Sequence, residues 1–197
     1  MAKKRASTAG EKTRRRIVDA ALETLKKEGF AGATSRAIAR AGDFNQALIF
    51  YHFGSLDGLL LAALDHTSEE RLKRYREAVD KAKTAEELAK VAERIYAEDR
   101  DRGHMTVVSQ MVAGSVARPE LAREVVARME PWIELCEDAL QKGLGKTPAA
   151  EALPLRDLAY AVVTFYLGLN LLTHLDEDRE RTEALVARLQ GLAPLLA

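Results

Sequence analysis

The sequence predicts an all-α fold of about nine helices, in which a small N-terminal head of three helices precedes a larger helical bundle. Apolar residues form 47% of the chain, and leucine, alanine, glutamate and arginine, which favour helix, are abundant. Glycine and proline number only 12 and 5 among 197 residues. Apolar positions recur at helical spacing, and neither an alternating strand pattern nor an internal repeat stands out.

Charge divides the chain near residue 56. Residues 1–56 carry eleven lysine and arginine residues against five acidic ones, whereas residues 57–197 carry nineteen against twenty-five. A basic head on an acidic body suggests that the head meets a polyanion, although basic N-termini can also be simple solubilising tails. We therefore expect a flexible basic arm over 1–10, a head over 11–56 and a bundle over 57–197.

The head divides into three helices at its glycine residues and caps. Apolar spacing predicts a first helix over 11–28, which Gly29 ends as a C-terminal cap residue. Thr34 is a suitable N-cap for a second helix that runs to residue 41. A turn over 42–44 then leads into a third helix over 45–53.

Caps and proline residues divide the bundle in the same way. We expect a fourth helix over 56–83 that is capped by Ser55, and a fifth that is opened by the capping box of Thr84 and Glu87. A short sixth helix should lie between Gly103 and Gly114, and a seventh should begin at Pro119 and be kinked or restarted at Pro131. A loop over 143–154 should then lead to an eighth helix over 154–176 and a ninth over 182–196.

The second and third helices have the layout of a helix-turn-helix, because a glycine break joins two short helices within eighteen residues. On the third helix Ile49 and Phe53 are four residues apart and face inward, whereas Ala47, Leu48 and Tyr51 face outward. Amides can bond base edges, small apolar groups can meet thymine methyls and tyrosine can bond phosphate. The alternative is a helical hairpin whose outer face another part of the chain covers.

The head also resembles the N-terminal DNA-binding domain of the TetR (tetracycline-repressor-like) family of bacterial transcription regulators. The resemblance covers about a quarter of the chain at motif level, and the length and nine-helix architecture extend it to the whole. It implies a regulator, commonly a repressor, that binds a palindromic operator in double-stranded DNA as a homodimer in the cytoplasm, at the bacterial nucleoid. The matching stretches are Thr13–Leu22, Gly29–Ser35, Ile38–Gly42, Phe50–Ser55 and the pair Leu59 and Leu60.

The resemblance also implies roles for particular residues of the head. Thr34 caps the second helix, the residues from Asn45 open the recognition helix, and Tyr51 and His52 match positions that bind backbone phosphates. The DNA-binding residues we expect are Arg14, Arg15, Thr34, Ser35, Arg36, Asn45, Gln46, Ala47, Leu48, Tyr51, His52 and Ser55.

Three positions depart from the family pattern. The turn is one residue longer, with Asp43 as the extra residue; Phe50 replaces a frequent tyrosine, and Leu56 replaces a common lysine. The last two changes remove a hydroxyl and a cation that would meet phosphate. The arm and Arg14–Arg16 can compensate, since phosphate affinity follows the number of cations placed on DNA.

The eighth helix is apolar nearly all round, which predicts that both of its sides are buried. The resemblance implies that the last two helices pair with their copies in a four-helix dimer interface; the alternative is a helix at the centre of a monomeric bundle. The stretch 159–172 is expected to be too short and too polar to cross a membrane. The expected interface residues are Val162, Leu169, Leu172, Leu185 and Leu189.

Family members usually bind a small molecule in the body, and a small apolar inducer is expected here. Methionine and aromatic residues at helical spacing can equally be ordinary core. The candidate ligand-binding residues are Tyr96, Met105, Met111, Met129, Trp132, Phe165, Tyr166 and Asn170.

Rival functions find little support in the sequence. It contains no phosphate loop, dinucleotide fingerprint or nucleophile elbow, so we expect no enzyme and no cofactor. His104 and His174 are isolated, so no metal site is expected, and Cys136 lies on an apolar helix face and is expected to be inert. A helical protein-interaction module is the remaining alternative, but it would not need a basic head.

Overall fold

The computed structural model describes residues 2–145, 154–175, 184, 185 and 188. The regular structure of these residues is entirely helical, which confirms the all-α fold class. The helices are α1 (Ala2–Gly32), α2 (Ser35–Ala41), α3 (Ala47–Phe53), α4 (Leu56–Lys81), α5 (Ala85–Arg102), α6 (His104–Ser115), α7 (Pro119–Ala127), α8 (Glu130–Leu144) and α9 (Leu155–Leu175).

The chain forms two compact units. The head unit contains residues up to 68 together with 110–125, and the body unit contains 69–109 together with the described residues from 126 onward. Both α4 and α6 therefore contribute residues to each unit. The functional division that the sequence suggests at residue 56 stays a prediction.

The core of the head unit follows the predicted apolar spacing. Ile17 and Leu25 of α1, Ile38 of α2 and Ile49 of α3 are all fully buried, and α1 packs against α2. On α4, Leu59 is also fully buried. The helix-turn-helix therefore rests on α1 and the first turns of α4.

Helix α1 is longer than the sequence suggested. It begins at Ala2, so residues 2–10 of the basic segment are helical where we expected an irregular, flexible arm. Alanine, lysine and arginine are strong helix formers, and no proline interrupts them. At the other end, Gly29 has a φ of 70° and breaks the helix as predicted, but a further turn runs on to Gly32.

We expected the sixth helix to stop at Gly114, but it continues to Ser115. The reason lies in packing, because a Cβ atom built on Gly114 would lie 2.1 Å from Cγ of Phe30. Gln110, one turn earlier, accepts a hydrogen bond from the backbone amide of Phe30 at 2.9 Å. Gly114 therefore serves close approach rather than termination of the helix.

In the body unit α8 packs against both α9 and α5. Thr84 caps α5, with its Oγ1 accepting from the amide of Glu87 at 3.1 Å, as the capping pattern predicted. The predicted interruption at Pro131 is a restart, since α7 ends at Ala127 and α8 begins at Glu130. The expected ninth helix over 182–196 lies almost entirely outside the described residues.

Candidate functional site

The outer face of α3 carries the side chains that the sequence assigned to DNA. Tyr51 is 81% exposed and Phe50 is 50% exposed, whereas Ile49 is fully buried. Leu48 and Phe53 are half-buried, so Leu48 faces outward less than the helical spacing predicted. With only seven residues, α3 depends on its neighbours for its stability and orientation.

Two exposed amides precede α3. Asn45 Oδ1 accepts a hydrogen bond from the backbone amide of Ala47, the first residue of α3, at 2.9 Å. Gln46 is the N-cap residue of α3, has a helical backbone and makes no side-chain capping bond. The Gln46 side chain is therefore the carboxamide that α3 presents at its N-terminal end without a hydrogen bond to the helix.

Arg14 of α1 holds the opposite end of α3. Its Nη1 donates to the backbone carbonyl of His52 at 3.0 Å, and its Cζ lies 4.4 Å from the centroid of the Phe53 ring. A cation beside the last carbonyls of a helix is favoured by the helix dipole. The sequence assigned Arg14 to DNA; the structure gives it this positioning contact, and the DNA contact stays a prediction.

Arg16 holds the turn between the two helices. Its Nε donates to the carbonyl of Gly42 at 3.0 Å, its Nη2 donates to the carbonyl of Asp43, and its Cζ lies 5.8 Å from the centroid of the Phe44 ring. Arg14 and Arg16 thus connect α1 to the C-terminal end of α3 and to the turn that precedes it. Sequence reasoning gave neither residue this role.

The additional turn residue closes α2 in a left-handed conformation. Asp43 has a φ of 51°, its amide donates to the carbonyl of Arg40 at 3.3 Å, and the amide of Phe44 donates to the carbonyl of Ala39 at 3.0 Å. This pair of bonds is a Schellman motif with aspartate where glycine is usual. The extra residue therefore ends α2 and leaves α3 intact.

The remaining predicted DNA contacts surround this segment. Thr34 Oγ1 accepts from the amide of Ala37 at 3.2 Å, as the predicted cap of α2, and Ser55 Oγ accepts from the amide of Gly58 at 2.9 Å at the start of α4. The side chains of Arg15 and Arg36 are exposed and make no hydrogen bond or ion pair with another described residue. Ser35 and His52 are half-buried, and the rings of His52 and Tyr51 meet edge to face at 4.9 Å.

The body unit contains a small cavity of about 70 Å³. Its wall is mostly apolar but includes the charged pair Arg71 and Asp99. A larger groove of about 550 Å³ lies along charged residues of α4 and α5 and is open to solvent. The cavity is lined by Arg71, Ile95, Asp99, Met105, Val108, Met129, Trp132, Val163, Tyr166 and Leu167.

Asp99 is the centre of a buried polar network in the cavity wall. The residue is 1% exposed and forms an ion pair with Arg71, which is 4% exposed. Tyr75 donates its hydroxyl to Asp99 Oδ1 at 3.2 Å, and Tyr166 donates to Oδ2 at 2.9 Å. Burial, together with the Asp99 carboxylate, raises the pKa of both tyrosine hydroxyls, so both remain protonated donors at neutral pH.

One face of α9 is apolar and exposed within the single chain. The exposed fractions include 62% for Tyr160, 46% for Phe165 and 63% for Leu172, so the expectation that both sides of this helix are buried is not met within one chain. Among the described helices, only Leu155–Leu172 is alone long and apolar enough to cross a membrane by length and composition. That helix begins four residues before 159, and length and composition alone do not show a membrane span, so the expectation for 159–172 stays a prediction.

Comparison with known proteins identifies the head. The family model for bacterial regulatory proteins of the TetR family matches residues 17–63. A solved structure of a TetR-family member from Streptomyces coelicolor A3 is 30% identical to this chain, with a TM-score of 0.60, over 89% of this chain and 96% of the other. The chain belongs to the TetR family.

Two further relatives match this TetR-family chain. The transcriptional regulator UidR of Escherichia coli K12 is 32% identical over 73 residues, which cover 37% of each chain. The chain thus spans little more than a third of the length of this curated relative. A cysteine mutant of the TetR-family regulator CifR, solved with a 26-bp double-strand operator DNA, shares the fold with a TM-score of 0.71 and 22% identity over 90% and 94% of the two chains.

The structure of this TetR-family chain brings together only part of the predicted ligand site. Met105, Met129, Trp132 and Tyr166 line the cavity, and the ring of Tyr96 lies 6.3 Å from that of Tyr166. The other three predicted residues do not line the cavity. Met111 is fully buried in the head unit, and Phe165 is exposed. Asn170 donates its Nδ2 to the carbonyl of Tyr166 within α9.

The predicted interface residues differ in exposure. Val162 and Leu185 are 42% and 40% exposed, Leu172 is the most exposed of the set, and Leu169 is half-buried. Leu189 lies outside the described residues. The described members therefore include three apolar side chains that face away from their own chain, as a partner surface requires.

Sequence reasoning missed Arg71 and Asp99. Carboxylates were assigned to polar helix faces, yet Asp99 continues the helical spacing of Leu88, Val91 and Ile95, which contact the buried cluster of the body unit. A charged residue that falls on an apolar stripe was the available signal. Within the described residues, no three histidine, cysteine, aspartate or glutamate side chains group closely enough to hold a metal ion.

Proposed function

We propose that this protein is a ligand-responsive transcriptional repressor that binds a palindromic operator as a homodimer in the bacterial cytoplasm. The observation that carries the proposal is the exposed face of α3, on which Gln46 and Tyr51 make no hydrogen bond to another described residue through their side chains, while Arg14 holds the C-terminal end of the helix and Arg16 holds the turn before it. A helix oriented in this way suits insertion into a major groove. The operator-bound relative CifR shares the fold.

The apolar face of α9 supports the homodimer. Tyr160, Val162 and Leu172 would be costly to leave in water, and a second copy of the same face would bury them. Arg156 at the start of α9 pairs with Glu130 and Glu137 of α8. These polar contacts attach α9 to a charged neighbouring helix, which favours a protein partner over a lipid environment for its apolar face.

Continuity of two helices supports control by a ligand. Arg71 of α4 and Met105 of α6 line the cavity, and both helices continue into the head unit, where Gln110 of α6 accepts from the Phe30 amide. A ligand that binds the DNA-incompetent arrangement more tightly by about 1–3 kcal/mol would weaken DNA binding by about 5–150-fold. At about 70 Å³ the cavity is below ordinary ligand sites, so the ligand must enlarge it.

Electrophoretic mobility shift with a DNA fragment from upstream of the protein's own coding region tests the DNA function. We expect a shifted band that survives excess nonspecific DNA. Gln46→Ala should reduce this preference by about 1–3 kcal/mol, whereas Gln141→Ala, an exposed glutamine of the body unit, should leave it unchanged. Equal binding to all sequences would instead favour a helical protein-interaction module with a basic head.

A further inference from the structure

The buried pair Arg71 and Asp99 gives the cavity a chemical preference. Burying two charges is costly, and attraction compensates only where the remaining donors and acceptors are also satisfied. Asp99 meets this condition, since one oxygen accepts from Tyr75 and the other from Arg71 and Tyr166. Its carboxylate therefore has little capacity left for a cationic ligand.

The Trp132 ring, which could otherwise bind a cation, is already covered by Arg71. Trp132 is the single tryptophan of the chain, and the Arg71 Cζ lies 4.8 Å from the centroid of its ring. The guanidinium thus occupies the position that a ligand cation would need. Together with the saturated carboxylate, this excludes cations as the preferred occupants.

Arg71, in contrast, has one N–H donor without a hydrogen-bond partner among the described residues. The guanidinium carries five N–H groups, and its Nε is buried without a hydrogen-bond partner among the described residues. Arg71 lines the cavity, but its Nε is covered by other atoms of the chain. A ligand therefore reaches this donor only by enlarging the cavity, and to satisfy it the ligand must offer an acceptor. Leaving such a donor unpaired is costly, and an acceptor on the ligand would remove that cost.

The acceptor should be uncharged. Arg71 and Asp99 already neutralise each other, so a carboxylate ligand would leave one unbalanced negative charge in an apolar cavity. Apart from the Trp132 indole and the Tyr166 hydroxyl, which is already bonded to Asp99, the rest of the wall offers apolar contact, from residues such as Ile95, Val108 and Leu167. Met105 and Met129 have flexible side chains that can move to admit a ligand larger than the present volume.

Building on the ligand-responsive regulator proposed above, we infer that the cavity binds a small uncharged molecule with an apolar body and one acceptor oxygen, such as a ketone, bonded by Arg71 Nε. This assigns a ligand class and an anchoring residue to the body unit. Both Arg71 and Asp99 lie outside the set of residues that the sequence suggested.

Four probes of similar size separate the possibilities: cyclohexanone, methylenecyclohexane, cyclohexanecarboxylate and cyclohexylammonium. Because Trp132 is the sole tryptophan and lines the cavity, its emission reports binding directly, and the thermal midpoint of the full chain provides a second readout. We expect cyclohexanone to bind at least about tenfold more tightly than methylenecyclohexane. The two ionic probes should bind more weakly than either.

Arg71→Lys is the matched variant, because the ammonium can still pair with Asp99 while carbon replaces the stem Nε. It should bind cyclohexanone and methylenecyclohexane equally. Should the variant fail to fold, the ranking of the four probes on the unaltered chain decides by itself. Equal binding of ketone and alkene by the unaltered chain, tightest binding of an ionic probe, or no binding of any probe would each overturn the inference.

The mobility shift without probes keeps this test separate from the proposed function. If DNA is bound and no probe binds, the ligand class is wrong while DNA binding stands. If the ketone binds as expected and no DNA sequence is preferred, the ligand site stands and the regulator function fails.

Discussion

At the scale of single residues, the orientation of α3 depends on two arginine side chains from α1. Arg14 meets the carbonyl of His52 and the ring of Phe53, and Arg16 meets the two carbonyls of the turn. Arg15, between them in sequence, is exposed and makes no such contact with a described residue. Adjacent arginine residues therefore have separable roles, which substitution can resolve.

Arg14→Met and Arg15→Met form a matched pair. Arg14→Met should lower the free energy of unfolding by about 1–2 kcal/mol, because a helix-end contact and a cation–π contact are lost. Arg15→Met should leave stability nearly unchanged but weaken binding to all DNA sequences and reduce the salt slope by about one. Urea denaturation and salt-dependent DNA titration measure the two effects, and equal stability losses in both variants would contradict the assignment.

The turn offers a second pair of neighbouring substitutions. Asp43→Gly should stabilise the protein by up to about 1 kcal/mol, because the left-handed conformation costs a non-glycine residue about 1–2 kcal/mol and the greater freedom of glycine in the unfolded chain offsets part of that gain. Gly42→Ala should destabilise it, since the new Cβ would lie 2.3 Å from Cε1 of Phe44 and 2.8 Å from Cβ of Ala20. The midpoint of thermal unfolding of each variant, compared with that of the unaltered chain, measures both effects. A lower midpoint for Asp43→Gly would mean that the aspartate side chain itself supports the turn.

At the scale of elements, α6 supports the head through a close contact beneath Phe30. We expect Gly114→Ala to destabilise the protein by about 1–3 kcal/mol, because the methyl group overlaps the ring. Gly10→Ala in α1 is the control, since no atom lies within 4 Å of its added Cβ and alanine favours helix. Denaturant midpoints should move in opposite directions, and unchanged stability in Gly114→Ala would show that Phe30 packs elsewhere.

The exposed face of α9 is the element on which dimerisation depends. Leu172→Glu should shift the protein to a monomer in sedimentation at micromolar concentration, because it places a charge in a surface that a second copy would bury. Val116→Glu is the control, since Val116 is 80% exposed on the head unit and is not assigned to the interface. A Leu172→Glu variant that sediments as a dimer would place the interface on another surface.

Local chemistry made some elements predictable from the sequence. Thr34, Ser55 and Thr84 each accept the amide hydrogen bond expected of a helix cap, because capping depends on residues only a few positions apart. The start of α1 and the continuation of α6 through Gly114 were not predicted. The first depends on helix propensity in a segment whose apolar residues, apart from Met1, are all alanine, and the second depends on Phe30, which is distant in sequence.

The same distinction applies to the candidate sites. Helical spacing alone predicts that the side chains of Gln46 and Tyr51 point outward, and both are exposed in the structure. The contact of Arg14 with His52 and the pairing of Arg71 with Asp99 join residues 38 and 28 positions apart. Such contacts depend on how helices pack, which periodicity does not specify.

At the scale of the whole molecule, the charge distribution and the family match assign the proposed DNA contact to the same end of the chain. The six-charge surplus of lysine and arginine lies in residues 1–56, the region that contains the helix-turn-helix, and residues 17–63 match the TetR family. The acidic remainder would be repelled by a polyanion. A second copy joined through α9 would double the basic surface without adding any new element to the chain.

Selection of binding sites from a pool of random duplex DNA with the 197-residue chain shows whether two copies of α3 recognise one palindromic operator. We expect an enriched two-fold symmetric site whose half-sites are about 34–36 Å apart, or somewhat more, centre to centre. Sites enriched by the Gln46→Ala variant should keep this spacing but lose preference at one base pair of each half-site. A pool that shows no shared motif, or only an asymmetric single site, would contradict the account.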